Sequence, residues 1–580
     1  MIVLIELTTS QRFQILQYVL LALAVLVGVR LAYLQIFRHD HYTALATSEH
    51  QRKYEVPAPR GQIYLRDGET KVPLALNQDL KLLYADPSLI KDKSGTANKL
   101  AAVTGDNPQD YLKALQQGKE YAVLKTRVTE ELAAKIKQQK LLGIGLVSQS
   151  YRTYPEGTLA SQLLGFVNGE GKGQYGIEGY LDAELRGKPG LLNAKTDTAG
   201  VPIATSDNLS RAPENGTNIT LTVDRSIQAQ AERYIQDGVE AVRADSGSVI
   251  VMDPKTGAIK AMANFPTYDP NEYTKTSDYQ RFQNQVVTNA FEPGSGFKTF
   301  TMAAGLDSGK VTPETTYSDP GCVKMDKYEI CNADGHKGGP NTNMTVVLRD
   351  SLNTGVIFVL QSLGGNAAAM TPAAKQLFHS YITDRFQFGK RTGVEQAGEA
   401  KGVINPPSSN DVNYANMSFG QGESITMVQM AAAMSAIANR GTYYQPYLVA
   451  ERQRPDGSTE KTKPKVVKKD VISDPAAENL TKMLEVVVEH GSGYLAKTPG
   501  YRIAGKTGTA QVPNPKGAGY LPDVNIGTFT GFAPAEDPQF VVMVRINHPR
   551  VPGFAEKTTV PVFSNLTRWL LQYYKVPPSS

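Results

Sequence analysis

The feature that most constrains this fold is an unbroken apolar run near the N-terminus, at residues 18–29. A mostly apolar helix covering residues 13–36 contains this run, and about 20 apolar residues suffice to cross a bilayer. Lipid offers no partners to backbone polar groups, so a crossing segment of this kind must be helical. The chain has 580 residues, which exceeds one typical domain. We therefore expect a single membrane anchor followed by at least two domains.

A cleaved signal peptide is the alternative to an anchor. Ala44-Leu-Ala46 resembles a cleavage site, but it lies far beyond the end of the apolar run. An uncleaved anchor is therefore favoured, with Arg30 reaching the interface or facing a partner helix. Charge does not fix the orientation, because Arg12 precedes the span while Arg38, Arg52 and Lys53 follow it. The positive-inside rule would place the C-terminal side in the cytoplasm.

Three short motifs follow in one order along the chain: Ser295-Gly-Phe-Lys298, Ser351-Leu-Asn353 and Lys506-Thr-Gly508. Each pattern arises by chance in a chain of this length, so a single match has little weight. The chain also contains decoys for all three patterns. They are Ser88-Leu-Ile-Lys91, Ser458-Thr-Glu-Lys461, Ser408-Ser-Asn410 and Lys255-Thr-Gly257. The decoys lie in polar runs, open loops or, for Lys255, a Pro/Gly hairpin turn, which predicts exposed residues.

Ser295 has the sequence context of a nucleophile. It follows the turn signal Glu292-Pro-Gly294 and precedes apolar residues at helical spacing. This places it in the first turn of a buried helix, with Lys298 one turn later on the same side. A serine needs a base to become a nucleophile, and a lysine can serve only when neutral. Burial and a second cation lower a lysine pKa, and Lys506 is the candidate for that cation.

The other two motifs lie in settings that suit a substrate site. Apolar residues flank Ser351-Leu-Asn353 on both sides, which predicts a turn at the junction of two buried helices. A hydroxyl and an amide in such a setting need polar partners, which a substrate or Lys298 would supply. Residues 501–511 predict a strand of short side chains, which lets a substrate backbone approach closely.

The ordered set S-x-x-K, S-x-N and K-T-G is similar to that of penicillin-binding proteins and their β-lactamase relatives. Longer strings extend the resemblance over about residues 12–574 and match class B penicillin-binding proteins. In that family a pedestal domain precedes the catalytic domain. The strings here that resemble the pedestal are Arg60-Gly-Gln-Ile63, Tyr154-Pro-Glu-Gly157, Gly176-Ile-Glu-Gly-Tyr180 and Leu185-Arg-Gly-Lys-Pro-Gly190. Those typical of its transpeptidase domain are Asp253-Pro-Lys-Thr-Gly257, Glu292-Pro-Gly-Ser295, Gly420-Gln-Gly422 and Ala504-Gly-Lys-Thr-Gly-Thr-Ala-Gln511.

The resemblance implies a peptidoglycan D,D-transpeptidase that is sensitive to penicillin and needs no cofactor. Ser295 would attack the bond between two D-alanines, with Lys298 as base, and backbone N–H groups of Ser295 and Thr509 would bind the oxyanion. Ser351 would relay a proton to the leaving amine, and Asn353 would orient Lys298 and the substrate amide. The residues implied to hold the substrate carboxylate or its backbone are Lys506, Thr507, Gly508 and Thr509.

The same resemblance implies an α/β (α+β) transpeptidase domain of the serine D,D-peptidase and β-lactamase type. Its antiparallel sheet would be flanked by helices and joined by a helical lobe, and an elongated α+β pedestal would precede it. In the pedestal, residues 56–65 and 217–223 predict strands and residues 129–140 predict a helix. The expected boundaries are a cytoplasmic tail at 1–11, an anchor at 12–37, a pedestal at 38–244 and a transpeptidase domain at 245–576.

The sequence leaves open which type of family member this chain is, and whether it acts as an enzyme or as a scaffold. No glycosyltransferase signature occurs in residues 40–240, which favours the monofunctional class. Ser-x-Asn at Ser351 is typical of division-type members, whereas elongation-type members commonly have Ser-x-Asp. A β-lactamase would need a second base, for which Glu395 and Glu399 are the nearby carboxylates. A β-lactam-sensing scaffold that binds a glycan-polymerising partner is the alternative from another class.

The implied partners are stem peptides, β-lactams, the cytoplasmic membrane and a polytopic SEDS-family glycan polymerase. The net charge of +5 is mild and no basic arm occurs, so the sequence does not indicate nucleic acid. Scattered histidines without HExxH or CxxC argue against a catalytic metal. Outside the cell, Cys322 and Cys331 would form a disulfide; free thiols or a zinc site with His336 are the alternatives.

Overall fold

The computed structural model describes residues 9–42, 51–56, 58–118, 121–195, 209–337, 339–514, 517, 519–551 and 554–579. The chain divides into two compact units. The first comprises Met1–Pro59 and Gly187–Asn215, and the second comprises Arg60–Arg186 and Gly216–Ser580.

The first unit contains the N-terminal helix. This helix runs over Thr9–Ala32 and continues as a π-helical turn over Tyr33–Phe37. Within the described residues, Phe13–Phe37 is the one helical stretch long and apolar enough to cross a membrane, and none of it is buried. The apolar run is thus a candidate membrane anchor, as the sequence predicts. A three-stranded antiparallel sheet completes this unit, with strands Gln51–Val56, Gly190–Lys195 and Leu209–Arg211.

In the second unit, residues 60–186 build most of a seven-stranded sheet. In spatial order its strands are Thr459–Lys461, Val449–Gln453, Asn218–Asp224, Ile63–Asp67, Thr70–Ala85 and Ala122–Val128, with Ile144–Thr153 also paired to Thr70–Ala85. The prediction of one continuous strand over residues 56–65 was wrong, because one strand ends at Val56 and a separate strand begins at Ile63. Pro59 lacks a backbone donor, and a Cβ on Gly61 would lie 1.9 Å from the Thr217 carbonyl. The other two pedestal predictions agree with Asn218–Asp224 and helix Glu130–Gln138.

Short helices surround this sheet, and a buried ion network ties them to it. The helices are Lys93–Thr104, Pro108–Gln117, Glu130–Gln138, Ser161–Leu164, Gly176–Tyr180 and Asp182–Arg186. The Glu178 side chain is fully buried and pairs with Arg60 at 2.7 Å and with Arg152 at 2.6 Å. Arg60 also pairs with Asp182 at 2.8 Å. Two strings quoted for the family resemblance, at Arg60 and at Gly176 to Tyr180, therefore contact each other.

A five-stranded antiparallel sheet forms the centre of residues 245–576. Its strand order is Ile259–Phe265, Ser246–Met252, Phe540–Asn547, Tyr520–Ala533 and Ala504–Pro513. Every residue of Phe540–Asn547 is buried. Val542 and Val544 pack into one hydrophobic cluster while Val541 and Met543 pack into another. Apolar side chains thus cover both faces of the sheet, which confirms the expected helix–sheet architecture.

Helices pack on each face of this sheet. Arg225–Ala241 and Val560–Tyr573 cover one face, and Met427–Ala438, in which every residue is buried, covers the other. The remaining helices are Gln285–Thr288, Lys298–Asp307, Met344–Arg349, Asn353–Leu363, Pro372–Ser380, Asp411–Met417, Asp474–His490 and Ala555–Thr558. Small β-hairpins, Thr316–Asp319 with Gly339–Asn343 and Cys322–Met325 with Tyr328–Cys331, connect two of these helices.

Candidate active site

The three sequence motifs meet around one cavity of about 420 Å³. The first lies in the 3₁₀ turn Gly294–Phe297, which leads into helix Lys298–Asp307. The second connects helices Met344–Arg349 and Asn353–Leu363, and the third lies on Ala504–Pro513, the edge strand of the central sheet. The sequence-predicted residues that line the cavity are Ser295, Ser351, Asn353, Thr507 and Thr509.

Two glycines let the serine turn approach the edge strand. Gly294 has φ of +58°, and a Cβ there would lie 2.4 Å from the Thr509 carbonyl oxygen. A Cβ on Gly508 would lie 2.6 Å from the Pro293 carbonyl oxygen. Any other residue at either position would push the turn and the strand apart. Gly294, just before the first motif, and Gly508 of the third motif therefore let Ser295 lie beside the strand.

The hydroxyl of Ser351 lies between two lysine side chains. Lys298 Nζ donates to the Ser351 carbonyl oxygen at 2.5 Å and to Ser351 Oγ at 3.2 Å. Lys506 Nζ donates to the same Oγ at 3.1 Å. These bonds join residues 53 and 155 positions apart in the chain. The serine of the second motif thus forms a polar bridge between the lysines of the other two.

Both lysines are fully buried, and burial sets their charge. Desolvation, with a contribution from the charge of Lys506, holds the pKa of Lys298 well below its usual range. Desolvation also lowers the pKa of Lys506 to about 7, against an opposing effect of Glu556. Lys298 therefore loses its proton more readily and can act as a base, while Lys506 can keep its charge near neutral pH.

Ser351 has a backbone conformation that is unusual for a residue with a side chain. Its φ is +57°, in the left-handed region. Such residues occur where surrounding structure fixes them, often at functional sites. Here the packed helices on each side of the turn supply that constraint, and the conformation accompanies the placement of the hydroxyl between Lys298 and Lys506.

The Ser295 hydroxyl is positioned at the cavity wall and is half-buried. Among the described residues it makes no hydrogen bond. Lys298 lies three residues after Ser295, at the start of the following helix, and its Nζ is directed at Ser351, so the expected pairing of its side chain with the Ser295 hydroxyl stays a prediction. Catalytic hydrogen bonds are often long before substrate binds, so an unbonded hydroxyl is compatible with a nucleophile.

Asn353 lines the cavity but does not bond to Lys298 in this structure. Its Nδ2 donates instead to the Cys331 carbonyl oxygen at 2.8 Å. The expected contact between Asn353 and Lys298 is replaced by the bonds from Lys298 to Ser351, because Lys298 Nζ is already directed at that turn. Asn353 thus joins the second motif to the cysteine hairpin.

The sulfur atoms of Cys322 and Cys331 are bonded to each other in this structure. Glu329 lies close to both sulfurs, but a zinc ion would need free thiolates. His336, the third residue of the zinc alternative, lies 3.8 Å from the Asp350 carboxylate. The hairpin geometry therefore favours the disulfide over the zinc site, and thiol chemistry stays a prediction to test.

Sequence reasoning missed several residues of the cavity wall. Ser492 Oγ lies 2.6 Å from Thr507 Oγ1, and its Gly491-Ser-Gly493 context is the one signal that could have drawn attention to it. Thr509 Oγ1 accepts a hydrogen bond from the Ala555 N–H at 3.2 Å. The other missed wall residues are Ala333, Asp350, Phe419, Phe554 and Glu556.

The decoys and the candidate second bases lie elsewhere. Lys255 is an exposed turn residue that pairs with Asp537, and the Ser88 hydroxyl donates to Asp86 at the surface. Glu399 accepts bonds from Thr392 and from the Gly393 N–H, while Glu395 accepts from the Leu448 N–H. Neither carboxylate lines the serine cavity, so the structure offers no support for a β-lactamase-type base at these positions.

The site combines a serine at the cavity wall with two buried lysines, one of which has a strongly lowered pKa, beside the edge strand of the sheet. This combination is typical of a serine enzyme that transfers acyl groups. Comparison with known protein families agrees with this class. Residues 247–568 match the penicillin-binding protein transpeptidase domain, and residues 55–221 match the penicillin-binding protein dimerisation domain. The chain belongs to the class B penicillin-binding proteins and is a serine transpeptidase.

Individual relatives agree along almost the whole chain. Stage V sporulation protein D of Bacillus subtilis is 32% identical over 95% of this chain and 84% of its own length. Peptidoglycan D,D-transpeptidase FtsI of Escherichia coli is 31% identical over 97% of this chain and 91% of its own. The crystal structure of penicillin binding protein 3 of Mycobacterium tuberculosis in complex with aztreonam superposes with a TM-score of 0.70 at 27% identity. It covers 91% of this chain and 98% of that one.

Proposed function

We propose that this protein is a peptidoglycan D,D-transpeptidase that crosslinks stem peptides through an acyl-enzyme on Ser295. The observation that carries the proposal is the Ser351 hydroxyl, which is hydrogen-bonded to both Lys298 and Lys506 at the wall of the Ser295 cavity. This arrangement provides a base, a proton relay and a cation around one nucleophile. The names of the relatives, peptidoglycan D,D-transpeptidase among them, support the substrate class.

In the acylation step, Ser295 Oγ attacks the carbonyl carbon between two D-alanines and Lys298 takes its proton. The new ester bond replaces the peptide bond. The proton passes from Lys298 through Ser351 to the nitrogen of the departing D-alanine. An amine from a neighbouring stem peptide then attacks the ester, which forms the crosslink and returns a proton to Ser295. A β-lactam would acylate the same serine and leave slowly.

The edge strand supplies the binding groups. Backbone N–H groups of Ser295 and Thr509 would stabilise the oxyanion, which is often worth about 3 kcal/mol per donor. Lys506, Thr507 and Thr509 would hold the terminal carboxylate of the donor peptide. The unpaired edge at Gly508 leaves room for a substrate backbone to align with the strand. Asn353 would contact the substrate amide.

We further propose a role in septal synthesis rather than elongation. Asn353 at the third position of the second motif supports this role, as does the similarity to FtsI. The anchor at residues 12–37 would place the pedestal, at 38–244, and the catalytic domain, at 245–576, outside the cytoplasm. A SEDS-family glycan polymerase is the proposed membrane partner, and residues 1–11 would be cytoplasmic.

Covalent labelling with a fluorescent penicillin tests the nucleophile. We expect Ser295→Ala to abolish labelling, because Ser295 carries the hydroxyl proposed to attack, whereas the Ser351 hydroxyl is held between Lys298 and Lys506 as the proposed relay. Ser88→Ala and Ser458→Ala are matched controls, since each removes a serine that also precedes a lysine by three positions, and both should label normally. Labelling retained by folded Ser295→Ala would refute the assignment of the nucleophile, whereas weak labelling of the folded wild-type protein would favour the scaffold alternative.

A further inference from the structure

A second cavity, of about 600 Å³, adjoins the serine cavity. Gln511, two residues beyond Thr509 on the edge strand, lines both. Glu292, three residues before Ser295, lines the second cavity, and so does Glu423. A ligand in this cavity would therefore lie next to the reacting groups while none of the three catalytic motifs binds it directly.

Glu423 is a buried carboxyl group without a partner. It is only 2% exposed, and among the described residues neither of its carboxyl oxygens has a hydrogen-bond partner. Glu292 is half-buried beside it and accepts hydrogen bonds from the Gly422 N–H at 3.1 Å and the Tyr520 hydroxyl at 3.2 Å. A buried carboxyl with no partner costs free energy. Because Glu423 lines the cavity, a hydrogen-bond donor bound there would offset part of this cost.

The charge of this pair is uncompensated. Burial, together with repulsion from Glu292, raises the pKa of Glu423 well above its usual range, and burial also raises the pKa of Glu292. A cation bound between the two carboxyl groups would reverse both effects, because opposite charge at close range favours the ionised form. The pair is thus electrostatically suited to a positively charged group.

The other charged side chains near the cavity have partners, apart from Arg545 Nε, which makes no hydrogen bond among the described residues. Asp245 pairs with His548 at 2.9 Å and with Arg550 at 2.5 Å. Arg545 packs over the Phe291 ring at 4.8 Å and donates to Gln285 and to the Asn289 carbonyl oxygen rather than to Glu423. The remaining free charge on the described wall is therefore the acidic pair, at the end that adjoins the serine cavity.

We propose that Glu292 and Glu423 form a subsite for an alkyl ammonium group carried by a stem peptide. This inference rests on the proposed transpeptidase function, which requires a donor peptide and an amine-bearing acceptor. Charge-assisted hydrogen bonds from an ammonium to two carboxylates are strong and selective. The ammonium can belong to the acceptor stem peptide, which attacks the acyl-enzyme, or to a side chain of the donor stem peptide, which acylates Ser295. A donor peptide binds only when Ser295 is not already acylated, whereas an acceptor peptide can bind to the acylated enzyme.

Peptide binding measured by calorimetry tests the subsite without turnover. The probe is a stem-like peptide with a single side-chain amine, either free or acetylated. It is titrated into Ser295→Ala protein, whose donor site is open, and into wild-type protein acylated with penicillin, whose donor site is filled. We expect the free amine to bind at least about tenfold more tightly than the acetylated form. A preference that persists after acylation identifies the acceptor strand, and one that is lost identifies the donor strand.

Substitutions locate the recognition. Glu423→Gln and Glu292→Gln keep size and hydrogen-bonding capacity but remove the charge, so each should abolish the preference for the free amine. Glu395→Gln is the matched control, since Glu395 is a half-buried carboxyl that also has a raised pKa but accepts the Leu448 N–H elsewhere. It should keep the full preference.

No preference in the unsubstituted site, or a preference undiminished in folded Glu423→Gln and Glu292→Gln proteins, would overturn the subsite. If penicillin fails to acylate Ser295, the proposed function fails, yet the Ser295→Ala titration still tests the acidic pair. The two proposals can therefore fail separately.

Discussion

At the residue scale, the two lysines of the motifs at the serine cavity have no solvent exposure. Their side chains share Ser351 Oγ, and their pKa values are lowered to different extents. Two cations this close destabilise each other, so the one that loses its proton first becomes the base. The lowered pKa of Lys298 is consistent with its proposed role as the base, and Lys506, with a pKa of about 7, is the proposed cation.

Replacing Lys298 with arginine separates these roles. The guanidinium keeps the positive charge but does not lose its proton in proteins, so no neutral form is available. We expect Lys298→Arg to acylate at least about a hundredfold more slowly, the lower range for lost general-base catalysis. The rate of acylation by a chromogenic β-lactam measures this, and a melting curve checks the fold. A near-normal rate in a folded protein would require another base.

The pH dependence of acylation follows from the same two groups. The rate should rise with pH through the lowered pKa of Lys298, because only the neutral amine accepts a proton. It should fall above the pKa of Lys506, about 7, because neutral Lys506 no longer attracts the substrate carboxylate. Lys506→Arg keeps its charge, so the alkaline limb should move to higher pH. Acylation rates across the pH range measure both limbs, and an unmoved alkaline limb would contradict the role of Lys506.

At the scale of elements, the buried ion network explains why the pedestal strings occur together. Arg60 lies just before strand Ile63–Asp67, Arg152 lies at the end of strand Ile144–Thr153, and Glu178 lies on helix Gly176–Tyr180. The carboxylate of Glu178 bonds to both guanidinium groups. One acidic side chain thus fixes the position of a helix against two strands.

Removal of this carboxylate should destabilise the pedestal strongly. Glu178→Ala leaves two buried guanidinium groups with an incomplete set of partners, and breaking a buried pair typically costs about 3–5 kcal/mol. Urea denaturation followed by circular dichroism measures the loss. Glu170→Ala is the control, because Glu170 pairs with Lys172 at an exposed site and should have little effect. Equal stability of the two variants would show that the network does not hold the helix.

At the scale of the whole molecule, the candidate anchor and the cysteine hairpin are linked by compartment. The anchor would deliver residues 38–576 to an oxidising space, where a disulfide persists. The cytoplasm keeps thiols reduced, so the state of Cys322 and Cys331 reports where the catalytic domain resides. The redox state of these two cysteines therefore tests whether the catalytic domain is exported from the cytoplasm.

The full-length chain in cells should show no alkylatable thiol until a reductant is added. A chain that lacks residues 1–42 and stays in the cytoplasm should show two, since its only cysteines would be reduced. Alkylation in intact cells, followed by mass spectrometry, measures both states. Reduced cysteines in the membrane-bound protein would contradict either the disulfide or the outward orientation, and a Cys322→Ser variant controls for incomplete labelling.

The sequence by itself determined the local parts of this protein. Apolar runs and periodicity predict the candidate anchor, the hairpin at Lys255 and the strand Asn218–Asp224, because these patterns depend on neighbours a few residues apart. The spacing of Ser295 and Lys298 predicts a shared helical side for the same reason. Exposure of the decoys also followed from local polarity.

Only the tertiary structure decided the contacts between distant segments. It placed Ser351 Oγ between Lys298 and Lys506, and it directed Asn353 to Cys331 rather than to Lys298. It also added strand Val449–Gln453 to the pedestal sheet, and it placed Glu423 beside Glu292 with no hydrogen-bond partner in the part of the chain that is described. Such contacts depend on how helices and sheets pack across the chain, and no local pattern carries that information.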